Sequence, residues 1–305
     1  MPTIAFVSPK GGVGKTTSAF LLSTALAKLY EVTVIDADPN HPIQTWAQGG
    51  NTPARLTIVS DANEDTIIER IEDAAEKTPF VVVDLEGTAS KTVIYAISQA
   101  DFVVIPTQGS QLDANEASRA IRVVIQSEKM TGKAKPYAVL LTRTNSTIRT
   151  RGLAHIQNGL IDAGIPVLQT ELNERDAFKA VFSFRQTLDG LNPVDVPNLD
   201  KAKLNVLAFV QEVFELLAAD AAWEGWAVQV FPLHGQDARF LINGQHHGVA
   251  RRLHVEADHI LDFFGEGGVL GFLESAQPVW LETVGIPDPL DRPQANANGR
   301  GPSNG

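Results

Sequence analysis

The chain has 305 residues, 44% of them hydrophobic, enough to bury a sizeable core as one large α/β domain with an appendage or as two domains. It contains no cysteine, which excludes disulfides, thiolate metal sites and cysteine nucleophiles, and no run of 18 apolar residues, so no transmembrane helix is expected. The net charge of −11 excludes a uniformly basic nucleic-acid coat, and the first residues lack the basic region and long apolar stretch of a signal peptide, so a cytoplasmic location is expected.

Taken in order, the predicted elements alternate. A strand over residues 3–7 runs into a glycine-rich loop, and a helix follows at 16–29. Strands are then predicted at 32–36 and 56–59, a helix at 64–76, and strands at 80–84 and 102–106. A helix at 113–128, a strand at 137–142, a helix at 151–163, a strand at 166–170 and a helix at 201–219 complete the series. Val81-Val82-Val83 and Phe102-Val103-Val104-Ile105 are apolar without alternation, as suits strands covered on both faces of a parallel sheet. Strand then helix, repeated, predicts a doubly wound α/β fold with a mostly parallel sheet flanked by helices and right-handed crossovers.

Composition changes after Asp220. Three of the four tryptophans fall within residues 221–286, with His234, His246, His247, His254 and His259. Those histidines lack metal-site spacing apart from the adjacent pair. Residues 226–230 and 239–242 are expected as hairpin strands, with Asn243-Gly244 as a turn signal. From Pro287 onward Pro, Gly, Asn and Ser dominate, so a disordered tail is expected. The domain plan is residues 1–220 as the large α/β domain, 221–286 as a small C-terminal appendage, and 287–305 as the tail.

The stretch Ser8-Pro9-Lys10-Gly11-Gly12-Val13-Gly14-Lys15-Thr16-Thr17 follows a strand and opens a helix, the context a phosphate-binding loop requires. Its glycines let successive N–H groups point at phosphates, with a helix N-terminus behind them. Lys15 would reach the β- and γ-phosphates of ATP and Thr16 would place its hydroxyl on Mg²⁺. The ordinary pattern has glycine at position 9; this chain has Pro9 and a second lysine, Lys10, directly before the glycines.

The string from Lys10 to Thr17 resembles the deviant Walker A motif of the ParA/MinD superfamily of P-loop NTPases. The resemblance implies that Lys10 reaches across a two-fold interface to the nucleotide of a second subunit, so that ATP is sandwiched in a homodimer. Two triphosphates facing each other need cations between them, and a lysine in trans supplies charge only when both subunits are present. Val34-Ile35-Asp36-Ala37-Asp38-Pro39 resembles the second family motif, which implies a water-orienting Asp38 supported by Asp36. Phe80-Val81-Val82-Val83-Asp84 resembles its Walker B strand, which implies that Asp84, with Thr16 and Asp38, holds Mg²⁺. The chain departs from the usual family pattern at Asn40-His41-Pro42 and at Leu85-Glu86-Gly87-Thr88, the segments that sense the γ-phosphate. These variants are more similar to the ATPase branch of T-DNA transfer that assembles at the overdrive sequence. So are Ile105-Pro106-Thr107, Leu112-Asp113-Ala114-Asn115-Glu116-Ala117 and Glu174-Arg175-Asp176-Ala177-Phe178. The resemblance covers about residues 1–218.

Between residues 119 and 151 eight positive charges stand against Glu128 alone, a net +7 in an acidic protein. A solvated helix face is one reading; an anionic partner is the other. Arg149, Arg151, Arg122 and Lys133 are the candidate contacts to non-specific duplex DNA. Arg149 and Arg151 are favoured, because they fall where side chains project freely, whereas Arg119 or Arg122 is expected to pair with a neighbouring carboxylate. The function expected first is partition or positioning of plasmid or chromosomal DNA, nucleoid-associated, with a ParB-type partner stimulating hydrolysis. No helix-turn-helix is expected ahead of the ATPase. The alternative is an accessory ATPase of conjugative or T-DNA-type transfer, with a relaxase complex as partner. A MinD-like membrane protein ranks third: it needs a basic amphipathic C-terminal helix, and the candidate over 203–217 carries Glu212 and Glu215 instead. No membrane partner is therefore expected. The nitrogenase iron-protein and arsenite-pump branches depend on cysteines.

Overall fold

The computed structural model describes residues 1–87 and 90–221, together with three strands at residues 227–231, 239–246 and 249–255. Seven parallel strands form the main sheet: β1 (Thr3–Phe6), β2 (Val32–Ala37), β3 (Leu56–Val59), β4 (Phe80–Leu85), β5 (Phe102–Thr107), β6 (Tyr137–Thr144) and β7 (Leu172–Asn173), in the spatial order β3-β2-β4-β1-β5-β6-β7. The doubly wound parallel fold expected from the alternation is thus the one observed. No helix among the described residues is long and apolar enough to cross a membrane.

The pleat of the central strands divides the core in two. Ile4, Phe6, Phe80 and Val82 face one side, against α1 (Lys15–Leu26), α2 (Pro42–Ala47), α7 (Asp176–Ser183) and α8 (Leu199–Ala221). Ala5, Val7, Val81, Val83 and Leu85 face the other, against α3 (Ile67–Lys77), α4 (Lys91–Gln99), α5 (Gln111–Thr131) and α6 (Arg151–Asp162). Covering both faces requires strands apolar at every position, as the valine runs are. Helix α1 is apolar almost all round because it lies between the sheet and α8. Its polar Ser23 and Thr24 satisfy their hydroxyls on Ala19 and Phe20 carbonyls, at 2.6 and 2.8 Å.

Two expectations fail for identifiable reasons. The strand expected at 166–170 contributes only a single bridge, Val139 to Val167. Beyond Leu168 the backbone N–H groups of Gln169 and Thr170 donate to the Glu212 carboxylate of α8, at 2.6 and 2.7 Å, which draws the chain off β6. Pairing resumes only at β7. Glu212 is therefore a structural acceptor, and Phe209, Val210 and Val213 are buried in the core that α8 shares with α1. In the second case Asn243-Gly244 is not a turn: β9 (Arg239–His246) runs through it and pairs antiparallel with β8 (Ala227–Phe231) and β10 (Val249–Val255). The expected tail at 287–305, and Thr88, lie outside the described residues. Helices α2, α4 and α7 were not expected. Their starts carry local signals: Pro42 at the first turn of α2, the Ser90 hydroxyl accepting from Val93 N–H, and Asp176 in the first turn of α7.

Candidate functional site

The loop between β1 and α1 depends on backbone conformation. Gly12 and Gly14 have φ of +74° and +96°, and Gly14 caps α1 from the left-handed region. No side chain lies within 4 Å of a Cβ built on Gly12, so its φ, not crowding, excludes other residues. The curl is braced from neighbouring strands: the Thr142 hydroxyl donates to Val13 O at 2.7 Å, and Gln108 Nε2 donates to Gly12 O at 3.1 Å. Gly11 and Gly12 stay exposed, so the loop faces outward with a helix N-terminus behind it.

The two lysines of the loop diverge. Lys15 is buried, and burial lowers its pKa against the opposing pull of Asp84 and Asp38. Its ammonium donates to Lys10 O at 3.3 Å. A Cβ on Gly87 would sit 3.4 Å from that ammonium, in ordinary contact, so the segment after β4 lies directly over Lys15. Lys10 turns the other way, to Asp113 of α5 at 2.5 Å.

Three carboxylates gather at the ends of β2 and β4. Asp36 is fully buried; its Oδ2 accepts from Ile43 and Gln44 N–H, both at 2.9 Å, and so anchors the start of α2. Burial raises its pKa, while those backbone bonds and His41 lower it. Asp38, half-buried, uses Oδ1 to accept from the backbone and side-chain amides of Asn40, at 2.9 and 3.0 Å. Asp84 is fully buried, and neither of its oxygens completes a hydrogen bond. Burial pushes its pKa up to about 7, with Thr16 and Lys15 opposing and the charges of Asp36 and Asp38 adding to the rise. A carboxylate buried this way fits a cation, directly or through water. Thr16, at the start of α1, and Asp84 present a hard oxygen donor set of the kind magnesium takes.

Beside the loop lies a pocket lined by Gly14, Thr17, Thr142, Arg143, Leu172 and Phe178. Arg143 has φ +52° at the irregularity where β6 passes from β5 pairing to β7 pairing. Thr142 and Gln108 escaped the sequence reading, while Asp113 entered it only within a matching segment and Arg143 only within the basic run. The signal present for Thr142 was a polar residue closing an apolar strand; the contacts of the others are long-range.

The basic segment does not form one patch. Helix α5 begins beside the loop and runs for 21 residues, about 30 Å, to the opposite end of the strands. Arg149 and Arg151, at the start of α6, therefore lie at the loop end, Arg122 lies midway, and Lys129 and Lys133 lie at the far end. Arg149 does not project freely: it donates to Gln157 and lies 4.0 Å from Glu171. Arg119 pairs with Glu116 at 2.8 Å, as one of the two α5 arginines was expected to do. Lys135 is buried, donating to Ser98 O and Ala100 O at 2.7 and 3.0 Å. Arg122, Lys133 and Arg151 are exposed.

Comparison with known proteins gives the family and the fold. The family model described as VirC1 protein matches residues 1–191. The protein named ParA from Rhizobium radiobacter is 35% identical over 218 residues, spanning 71% of this chain and 98% of that relative. The protein named virC1 from Rhizobium rhizogenes is 33% identical over 189 residues, 59% of this chain and 80% of that relative. Among solved structures, apo McdA from Cyanothece superposes with a TM-score of 0.56 at 19% identity, covering 71% of this chain and 99% of that one.

Proposed function

We propose, from the premise that this chain belongs to the VirC1 family of ParA/MinD-type P-loop ATPases, that it is an ATP-driven dimerising switch that partitions or positions DNA. One observation carries the reading. A glycine-rich loop with an outward-facing backbone has a buried lysine on one side, a second lysine held by Asp113 on the other, and beneath it a buried carboxylate whose oxygens complete no hydrogen bond. A structural loop has no use for a buried acid with no completed hydrogen bond; a site for a phosphate–cation complex does.

In this reading the N–H groups of residues 11–14 and the N-terminus of α1 bind the phosphates, together with Thr17. Lys15, held beneath the loop and largely desolvated, supplies charge where a triphosphate is most negative. The pocket lined by Leu172, Phe178 and Arg143 accepts the base. Magnesium, held by Thr16 and Asp84 with Asp38 alongside, would neutralise charge on the outer phosphates. Asp38 orients the attacking water through the oxygen that Asn40 does not occupy. Lys10 completes the site of a second copy, so binding of ATP and dimerisation are coupled.

The ATP form binds non-specific duplex DNA through Arg149 and Arg151, with Arg122 and Lys133 contributing from farther along the molecule. A ParB-type partner stimulates hydrolysis and releases the DNA. The test is a mobility-shift series with a slowly hydrolysed ATP analogue, with ADP and without nucleotide at several salt concentrations, beside a sedimentation measurement. Binding confined to the ATP-analogue dimer and steeply weakened by salt is the expected result. A dimer that binds no DNA even at low salt would overturn the partition reading. The second reading, an accessory ATPase of DNA transfer acting with a relaxase complex, draws on the family model itself and on the segments at Asn40-His41-Pro42 and Glu86-Gly87. Co-purification with a relaxase, without ATP-dependent DNA binding, favours it.

A further inference from the structure

Lys10 and Asp113 are 103 residues apart in sequence and meet at 2.5 Å. The two members differ in freedom. Asp113 is only 2% exposed, whereas the Lys10 side chain is 40% exposed. Asp113 is also held three further times: its Oδ2 bonds the Ser110 hydroxyl, its N–H donates to Ser110 Oγ at 3.2 Å, and its carbonyl accepts from the Thr107 hydroxyl at 3.1 Å. The carboxylate is therefore a fixed post at the start of α5 and the lysine is the movable arm.

We propose that Asp113 is a cis latch on Lys10 that holds the chain back from dimerising until a triphosphate is present. The inference rests on the sandwich reading above, in which Lys10 serves the nucleotide of a second copy. A lysine bonded to its own Asp113 cannot simultaneously reach outward, so every dimer requires two such contacts to break. Each break leaves a buried carboxylate with only the Ser110 hydroxyl and the N-terminal turn of α5 to compensate it. A single carboxylate loses the lysine to a polyanion of higher charge. A nucleoside diphosphate, with less charge, competes less well, so the latch sharpens the distinction between the two nucleotide states.

The proposal makes two variants move in opposite directions. Asp113→Asn keeps the shape of the side chain and an acceptor for Ser110 but loses the charge, so Lys10 is freed and the dimer tightens. Ser110→Ala removes the hydroxyl that shares the carboxylate and leaves it only Lys10 and the N-terminal turn of α5, so the latch strengthens and the dimer weakens. An exposed ion pair is worth up to about fivefold, and a lysine on a buried carboxylate at least that much. Because a symmetric dimer opens two latches, the effect enters its dissociation constant squared, which gives a tightening of about 25-fold for Asp113→Asn.

The full-length chain is examined by sedimentation with Mg²⁺ and a slowly hydrolysed ATP analogue, beside Lys10→Ala. Opposite shifts for the two variants support the latch. An unchanged or weakened dimer for Asp113→Asn, or shifts of the same sign, overturns it. If Asp113→Asn does not fold, Ser110→Ala decides alone: a weaker dimer supports the latch, and an unchanged or tighter one overturns it. Lys10→Ala separates this failure from that of the underlying reading. If that variant dimerises as well as wild type, the sandwich itself is wrong; if it stays monomeric while Asp113→Asn is unchanged, only the latch is.

Discussion

Asp36 and Asp84 stand opposite one another in the register of β2 and β4, both fully buried, yet only Asp36 has a carboxylate oxygen in a hydrogen bond. Asp36 is thereby committed to holding α2, while Asp84 is left to whatever enters the site.

A pH dependence follows from Asp84. Its pKa in the folded chain is about 7 against an ordinary value of 3.8. A raised carboxylate pKa means that the folded state holds the proton more tightly, so this stabilisation is complete below about pH 4 and is lost as pH rises through 7. Without nucleotide, Asp84→Asn is expected to melt higher than wild type at pH 8, with the gap closing toward pH 4. Proton and cation compete for one carboxylate, so Mg²⁺–nucleotide affinity of the wild type should rise by up to about tenfold per pH unit below 7 and level off above it. Calorimetric titrations of both chains check this; a pH profile of Asp84→Asn parallel to wild type would remove Asp84 from the cation site.

The two lysines should separate binding from assembly. Lys15→Ala is expected to abolish ATP binding, because the outer phosphates lose their buried cationic partner. Lys10→Ala is expected to bind ATP as a monomer with little turnover. Titration calorimetry and sedimentation on the same samples distinguish the two outcomes.

Asp38→Ala should retain nucleotide and dimer but lose about 10²–10³ in turnover, the usual cost of removing one well-placed polar group from such a site. Its removal also frees Asn40, so turnover of Asn40→Ala is measured beside it. If Asp38→Ala turned over within a few-fold of wild type, Glu86 would be the next candidate for orienting water.

For DNA, the ends of the molecule can be tested apart. Arg149→Ala with Arg151→Ala should flatten the log–log salt dependence of ATP-state binding by about 1 unit for the exposed Arg151, and by about 2 units where Arg149 exchanges Gln157 and Glu171 for phosphate, while leaving basal hydrolysis unchanged. Arg122→Ala with Lys133→Ala should change the slope by less than about 1 unit, since these side chains lie away from the nucleotide end. A larger effect from the second pair would move the DNA surface along α5.

The legibility of this chain follows the range of its interactions. Sheet, helices and phosphate loop were readable because valine runs, glycines and Lys15-Thr16 carry their meaning within a few residues. Strand order was not, since β1 lies between β4 and β5 only after the chain crosses over it. The strand at 166–170 was misread because Glu212, more than 40 residues away, takes its N–H groups. Asn243-Gly244 carried the strongest short turn signal and still lies within β9. Within the site, Lys10 was identifiable but its partner was not, and the charge run at 119–151 looked like one patch because sequence does not show that α5 separates its ends.

Trp46 gives the second motif an optical property. It is the one tryptophan before residue 221; the other three are Trp223, Trp226 and Trp280. It sits on α2, whose start is anchored by Asp36, and its indole donates to Val181 O of α7 at 3.0 Å while its ring meets Phe20 of α1 edge-on at 4.6 Å. Emission from this buried indole therefore reports the packing of the helix that leaves the phosphate loop against the helix that leaves Asp38. Replacing the other three tryptophans with phenylalanine leaves Trp46 as the single reporter of that packing, with no added dye and no change to any residue of the site.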